Sequence, residues 1–440
     1  MSLSGTPLHA SEFSEMKKKQ TLLIVTEHPP KSYRPSGERM LHTALASSSA
    51  FGGTIVLSLR GLNKPEQQEE AQPRRPSETF LYAVRFVRGM LYPLAALFDP
   101  VKFLVFLVHG FRLVKRYKPS CILASMPPLE TGMSAWLLSK YSGSSLVVDL
   151  RDDWESAIST DFEGYFPRIV FSIVSTFARN VYSHAVAIFA ATQTIADTLR
   201  RRGVATPTLL VSNGADTSVF LPQDEILRMK IRTEYCLPLD KALVVYCGSG
   251  TIPYYRLDVV ISCLKSLSQE EKDRIFVVFY VYDGLKRLKM KKRELGITDK
   301  VLEIRDPLPR RSLARVLAAC DVGLLPFDDS AYLLCARSTK LYEYLSSGLY
   351  VISSGPTGGE LEAFFSDHPA LGSFIRPRSS DFTRLLSGIS RTSEDLFGCD
   401  MRKLRHQFIK KNYDRKAIMR KAMKVLSDRT KCLKPYCSNG

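Results

Sequence analysis

A chain of 440 residues exceeds one hydrophobic core of ordinary size, so two domains are expected. With 45% hydrophobic, 10% aromatic and 24% charged residues it is not disordered, collagenous or low in complexity. Lysine and arginine number 62 against 44 acids, and the net charge of +18 points to an anionic partner: a membrane surface, a nucleic acid or a phosphorylated substrate.

Residues 1–20 are polar, end in Lys17-Lys18-Lys19, lack the apolar stretch that directs secretion and read as a flexible N-terminus. The nine cysteines include no CxxC pair and read as reduced thiols, so the expected location is the cytosol. Short β-rich runs follow at 21–26, 54–59, 121–125, 145–150 and 185–190. Others lie at 208–212, 242–247, 275–281, 301–305, 322–327 and 350–354. Most are uniformly apolar and separated by helix-length segments, the pattern of parallel strands covered on both faces. Two doubly wound α/β sheets are therefore expected, with the break within Phe220–Asp240, a stretch that follows the Asn213-Gly214 turn and holds Pro222 and Pro238.

Three segments are strongly basic. Phe80–Lys118 carries seven cations against Asp99 alone, interleaved with nine aromatics. It fits either a pair of core helices with snorkelling cations or a segment docking on an anionic leaflet. Its apolar part, Met90–Val114, is interrupted by Asp99, Lys102, His109 and Arg112, short of the roughly 20 residues a spanning helix needs. Arg402–Lys424 has ten cations against Asp414 and reads as a helix with a solvated face; Lys286–Arg293, six cations in eight residues, reads the same way.

No GxxxxGK[ST] loop, HExxH, GxSxG or DxD pair is present, and none of the seven histidines has metal-ligand spacing. Gly248-Ser249-Gly250 begins like a dinucleotide fingerprint, but Pro253 holds its third glycine position. The informative stretch is Leu324–Ser354. A strand ending at Pro326-Phe327 leads through a polar loop to a helix starting near Ser338 or Thr339, with Lys340 and Glu343 in its first turns and Gly348 as its stop. Free amides at such a helix start, beyond a parallel strand, suit a diphosphate, and Lys340 adds a cation. Glu343 fits either a ribose-binding carboxylate or an acid favoured by the helix dipole.

These residues, Ser338-Thr339-Lys340-Leu341-Tyr342-Glu343-Tyr344-Leu345-Ser346-Ser347-Gly348, resemble the (P/S)-S-K-L-x-E-Y segment of retaining GT-B glycosyltransferases, above all glycosyltransferase family 4 and its polysaccharide and lipid-linked glycan branch. Further resemblances are Gly248–Asp258 to the family's glycine-rich strand end and Y-K-R-I-D segment, Ala319–Pro326 to its A-D-V-x-L-x-P run, Val148–Trp154 to its D-x-R-D-x-W, and Ser212–Asp216 with Phe220 to its N-G-(V/A)-D-x-x-x-F. Ser36-Gly37 sits where the family has a glycine loop. Three positions depart from the pattern: Cys335 replaces the first glutamate of E-x7-E, Tyr255 replaces a lysine, and Tyr282 replaces the glycine of V-G-D-G-P.

The resemblance implies two Rossmann-like domains facing each other across a cleft. The acceptor-binding domain is expected over 21–225 and the nucleotide-sugar domain over 226–405, followed by a helix over 406–428 that packs back on the N-terminal domain and a tail over 429–440. It implies donor contacts from Gly37, Gly250, Arg256, Ser338, Thr339, Lys340 and Glu343, with Glu343 on the ribose. Arg256 and Lys340 would stabilise the leaving diphosphate. Arg151, Asp152 and Trp154 would meet the acceptor, with Asp152 handling its proton or acting only as a local cap. The implied reaction moves a sugar from a nucleoside diphosphate to a polyprenyl-linked or other membrane glycan at a cytoplasmic membrane face, with retention and with no metal or other cofactor. The alternatives are a noncatalytic scaffold and a sugar-nucleotide epimerase or phosphorylase on the same fold. No nucleic acid partner is expected, because no recognised binding module is present.

Overall fold

The computed structural model describes residues 20–28, 35–58, 98–156, 165–391 and 394–432. In it the apolar runs become parallel strands, the central ones buried on both faces and edge strands such as Gly53–Ser58 and Thr208–Leu210 only partly so. A run such as Leu22–Val25 or Val277–Phe279 has no polar side to turn to water, so it needs helices above and below.

Two units divide the chain: residues 1–211 with 419–440, and residues 212–418. The division after Val211 comes ahead of the break expected within Phe220–Asp240. In the first unit the sheet order is β2-β1-β3-β4-β5-β6. Its strands are β1 (Thr21–Thr26), β2 (Gly53–Ser58), β3 (Cys121–Met126), β4 (Ser145–Leu150), β5 (Ala187–Ala190) and β6 (Thr208–Leu210). The covering helices are α1 (Pro35–Ala50), α2 (Pro100–Tyr117), α3 (Leu129–Ser142), α4 (Tyr165–His184) and α5 (Gln193–Arg201). Asp99 caps α2 by accepting from the amides of Val101 and Lys102, and Thr192 caps α5 through the amide of Ile195.

The second unit has the order β12-β11-β10-β7-β8-β9, again all parallel. Its strands are β7 (Ala242–Gly248), β8 (Ile275–Val281), β9 (Leu302–Arg305), β10 (Val322–Pro326), β11 (Tyr350–Ser354) and β12 (Gly372–Ile375). Its helices are α6 (Glu225–Glu234), α7 (Leu257–Lys265), α8 (Gln269–Arg274), α9 (Leu285–Glu294), α10 (Arg310–Ala319), α11 (Thr339–Ser346), α12 (Glu360–Asp367), α13 (Ser379–Arg391), α14 (Glu394–Phe397) and α15 (Cys399–Asn412). The last helix, α16 (Arg415–Cys432), begins in the second unit and is counted with the first from Met419. All the strands expected from the sequence form, and β12, a four-residue edge strand of Gly-Ser-Phe-Ile, is additional.

The basic run over 402–424 falls on two helices, α15 and α16, and most of its cations, such as Lys403, Lys410, Lys411 and Lys421, are exposed, but three arginines turn inward. Arg402, Arg405 and Arg415 are fully buried and donate to main-chain carbonyls. Arg402 reaches the oxygens of Ala318, Cys320 and Ser347, and Arg405 those of Ala370, Gly348 and Leu396. These include the carbonyls that α10 and α11 leave unpaired at their C-terminal ends, where a cation also meets the negative end of the helix dipole. Asp321, in the A-D-V run, is likewise structural. It accepts from the amide of Leu243 at 2.8 Å and from the guanidinium groups of Arg232 and Arg228, tying the start of β10 to β7 and α6.

Most of the expected flexible N-terminus, residues 80–97 of the basic aromatic segment and most of the tail lie outside the described residues.

Candidate functional site

In the second unit the strand order reverses between β7 and β10, the switch point where open α/β sheets bind ligands beyond their carboxyl ends. The chain after each strand is stitched to the other. The amide of Arg256 donates to the Pro326 carbonyl at 2.7 Å, that of Asp328 donates to Tyr254 at 2.9 Å, and Tyr255 pairs with Phe327 as an isolated bridge. The Tyr255 ring stacks on Phe327 with centroids 5.2 Å apart.

Lys340 reaches this floor from the start of α11, where the Ser338 hydroxyl caps its amide at 3.3 Å. Its Nζ donates to Tyr255 Oη at 2.9 Å and lies 4.4 Å from that ring's centroid and 5.8 Å from the Tyr246 centroid. Gly248 makes room for it: a Cβ there would sit 2.7 Å from Lys340 Cε and 2.8 Å from Tyr246 Oη. Burial pushes the Lys340 ammonium below the ordinary lysine range, against the opposing influence of Tyr282, Cys247 and Glu343. Arg256, half-buried at the N-cap of α7, pairs loosely with Asp258 at 3.4 Å. Lys340 thus brings a cation onto Tyr255 at the switch point, while the guanidinium of the next residue, Arg256, turns to Asp258.

Several expected donor contacts have other work here. The Gly250 amide donates to Asp283 Oδ1 at 2.6 Å, joined by the Thr251 amide at 3.0 Å and the Ser249 hydroxyl at 2.8 Å. A Cβ on Gly250 would lie 2.6 Å from the Asp283 carbonyl, so this glycine lets the loop pack under β8 rather than offering its amide to a phosphate. Asp283, in the Val281–Leu285 stretch, sets the loop's shape. Ser338 is occupied by the Lys340 amide and Thr339 is buried. Glu343 is buried, and both its guanidinium neighbours, Arg310 at 3.3 Å and Arg415 at 3.6 Å, lie on the same oxygen, Oε1. Cys335 ends a 3-10 helix (Ala331–Cys335), buried, with its thiol on the Tyr332 carbonyl. Tyr282, at the end of β8, is 62% exposed.

In the first unit the switch point lies between β1 and β3. Arg151, just past β4, donates to the carbonyls of Pro127 at 2.5 Å and Met126 at 3.4 Å, anchoring the β4 loop to the end of β3. Asp152 reaches solvent at the next position, while protein on its inner side strips enough hydration to push its carboxyl up, opposed by Arg151 and Arg39. Two features escaped the sequence reading. Arg39 grips the buried Asp149 with Nε–Oδ2 at 2.9 Å and Nη2–Oδ1 at 2.6 Å, and Lys102 pairs with Glu27 at the end of β1 at 2.5 Å. The sequence marks Asp149 through the D-x-R-D-x-W resemblance and Lys102 as a break in an apolar stretch, but gives neither its partner.

Trp154 is not at an acceptor surface. Its indole is buried and donates to Tyr182 Oη at 3.2 Å, which makes it a core residue. Gly37 lies buried inside the first turn of α1 rather than in a loop. Helix α2 buries Phe106, Gly110 and Val114, Gly110 lying against Leu138 of α3. Its other side exposes Leu104, Val108, Arg112, Lys115 and Arg116. Among the described residues no helix is long and apolar enough to cross a membrane, and no group of three or more His, Cys, Asp or Glu could hold a metal.

Residues 43–214 match the family model described as glycosyl transferase 4-like domain. No curated protein matches the sequence. Among solved structures, a sucrose-phosphate synthase from Thermosynechococcus elongatus superposes with a TM-score of 0.68 at 13% identity, covering 94% of this chain and 100% of its own. Anabaena HepE, solved with UDP and glucose, gives 0.62 at 13%, covering 93% and 100%. A Listeria monocytogenes protein provisionally assigned as a UDP-N-acetylglucosamine 2-epimerase gives 0.55 at 11%, covering 93% and 96%. With its two parallel six-stranded sheets, each in its own helical cover, the chain has the two Rossmann-like domains of the GT-B fold and is glycosyltransferase-like in its first unit.

Proposed function

We propose that this chain transfers a sugar from a nucleoside diphosphate to an acceptor hydroxyl with retention of anomeric configuration, drawing its cations from the protein. The observation that carries the reading is the Lys340 ammonium held on Tyr255 at the β7–β10 switch point, with Arg256 the next residue along the chain. As the sugar acquires oxocarbenium character, charge builds on the departing diphosphate, and fixed cations there bind the transition state more tightly than the ground state. The leaving phosphate itself can take the acceptor proton on the same face, so no protein nucleophile is required. Glu343 serves the ribose beside Arg310, and Asp152 is the acceptor-side carboxylate, held near β3 by the Arg151 anchor. Trp154, Gly37 and Gly250 support these groups from the interior.

The acceptor in this reading is a membrane-borne glycan at a cytoplasmic face. It is supported by the exposed apolar and cationic side of α2 and by the net charge of +18, which suit an anionic leaflet carrying a polyprenyl phosphate.

The test is a thermal-shift and calorimetric panel of UDP, GDP, CDP and ADP with wild type, Lys340→Ala and Arg256→Ala, followed by sugar transfer in anionic vesicles carrying a polyprenyl phosphate sugar. One nucleotide is expected to stabilise the wild type, by about 2.7 kcal/mol at a hundredfold excess over Kd, and to lose most of that effect in Lys340→Ala. No binding by any diphosphate would move the chain to the scaffold reading. The Listeria neighbour supports a second reading, which predicts that a UDP-sugar is epimerised with no acceptor present.

A further inference from the structure

The ammonium of Lys340 is held in place before any ligand arrives. Its four-carbon stem has many rotamers, yet the Nζ is pinned between the Tyr255 hydroxyl, at 2.9 Å, and two aromatic faces. Tyr255 is itself immobilised. Its ring stacks on Phe327, tilts on Tyr254 at 4.7 Å and meets Tyr246 edge-on at 5.7 Å, and its backbone bridges to Phe327. The Tyr246 hydroxyl donates to the Ser249 carbonyl at 2.7 Å, which keeps that ring beside the lysine. An ammonium has three donors, and the tyrosine occupies one of them.

We propose that Tyr255 is a positioning residue for Lys340, fixing its ammonium over Gly248 so that it meets the diphosphate of a bound nucleotide; this rests on the donor-site reading above. The resemblance places a second lysine at this position. A tyrosine exchanges that charge for an acceptor and a π face, so the site works with one preorganised ammonium in place of two mobile ones. Preorganisation lowers the ordering cost of binding at the phosphates and leaves contacts to the nucleoside untouched.

Tyr255→Phe keeps the ring and its stacking but removes the acceptor. Calorimetry with UDP and UMP, on wild type and variant, reads the effect at the second phosphate. NMR titration of the Lys340 ammonium in ligand-free protein, assigned through Lys340→Arg, reads the coupling without ligand. Tyr255→Phe is expected to weaken UDP about tenfold, the scale of a hydrogen bond to a charged group, with UMP changed less than about twofold. It should also lower the Lys340 pKa, because a buried ammonium loses an acceptor. Gly248→Ala, whose Cβ would crowd the lysine stem and the Tyr246 hydroxyl, should show the same selective loss of UDP, and urea unfolding of both variants beside the wild type separates that loss from a folding defect. Unchanged UDP affinity together with an unchanged Lys340 titration in Tyr255→Phe overturns the proposal. A shifted titration in a protein that takes up no nucleoside diphosphate overturns the donor-site reading and leaves the Tyr255–Lys340 coupling standing.

Discussion

Lys340 carries its charge where burial disfavours it, and that has a direct consequence for pH. The ammonium is the form that grips a phosphate, and its pKa lies below that of an exposed lysine. Nucleoside diphosphate affinity should therefore be full near neutrality and decline on the alkaline side before the ordinary lysine range is reached. Measurement by calorimetry above pH 7 avoids ionisation of the terminal phosphate, whose pKa is about 6. The contribution to folding has the opposite sign. The unfolded chain keeps this proton to higher pH than the folded one, so the group adds stability as pH rises through its folded pKa. Lys340 stood out in the sequence as a cation in the first turn of a helix, and Arg256 through the segment that resembles the family's. What Tyr255 does was not legible, since its partner lies 85 positions away and a hydrogen bond across that separation leaves no periodic trace. Gly250 and Trp154 misled for the same reason: a residue's type shows what it can do, whereas Asp283 and Tyr182 decide what it does.

Among the elements, α15 shows what a charge count leaves out. Counting cations over 402–424 identifies a basic helix, but the carbonyls at the ends of α10 and α11 determine which of its arginines turn inward. Arg402→Met keeps much of the side-chain volume and takes a donor from the buried carbonyls of Ala318, Cys320 and Ser347. The expected loss is about 3 kcal/mol of stability in urea unfolding, with nucleotide affinity per folded molecule preserved. Strands were more legible than helices' partners, because a continuous apolar run has few alternatives to a buried parallel strand. The exception, β12, is short, lies at a sheet edge and begins with Gly372-Ser373, so its composition resembles a loop.

At the level of the whole molecule, the pairing of two doubly wound sheets could be read from the alternation of apolar runs and helix-length spacers, since that pattern survives without knowledge of any contact. The membership of the last helix is not in that alternation; only the family resemblance implied a helix over 406–428 packing on the first half. Met419, Met423 and Leu426 are buried, Thr43 bonds the Met419 sulfur at 3.5 Å, and Ser427 bonds the Ala50 carbonyl at 2.9 Å, all within the first unit. A fragment spanning residues 1–211 should therefore be poorly soluble and bind an exposed-hydrophobe dye. Joining residues 415–432 to it through a flexible linker should restore a cooperative melt. Equal solubility and equally sharp melting of the two would show that the segment is dispensable.

The same feature bears on how the protein is made. A ribosome releases the chain from its beginning at about 5 to 20 residues per second, so about 10 to 40 s separate the emergence of Val211 from that of Met419. Throughout that interval the early half has every strand of its sheet and lacks the helix that covers Thr43 and Ala50. The nascent protein thus spends its synthesis with an unroofed apolar surface, a natural target for chaperones, and completes its first half only after nearly all of its second has been translated.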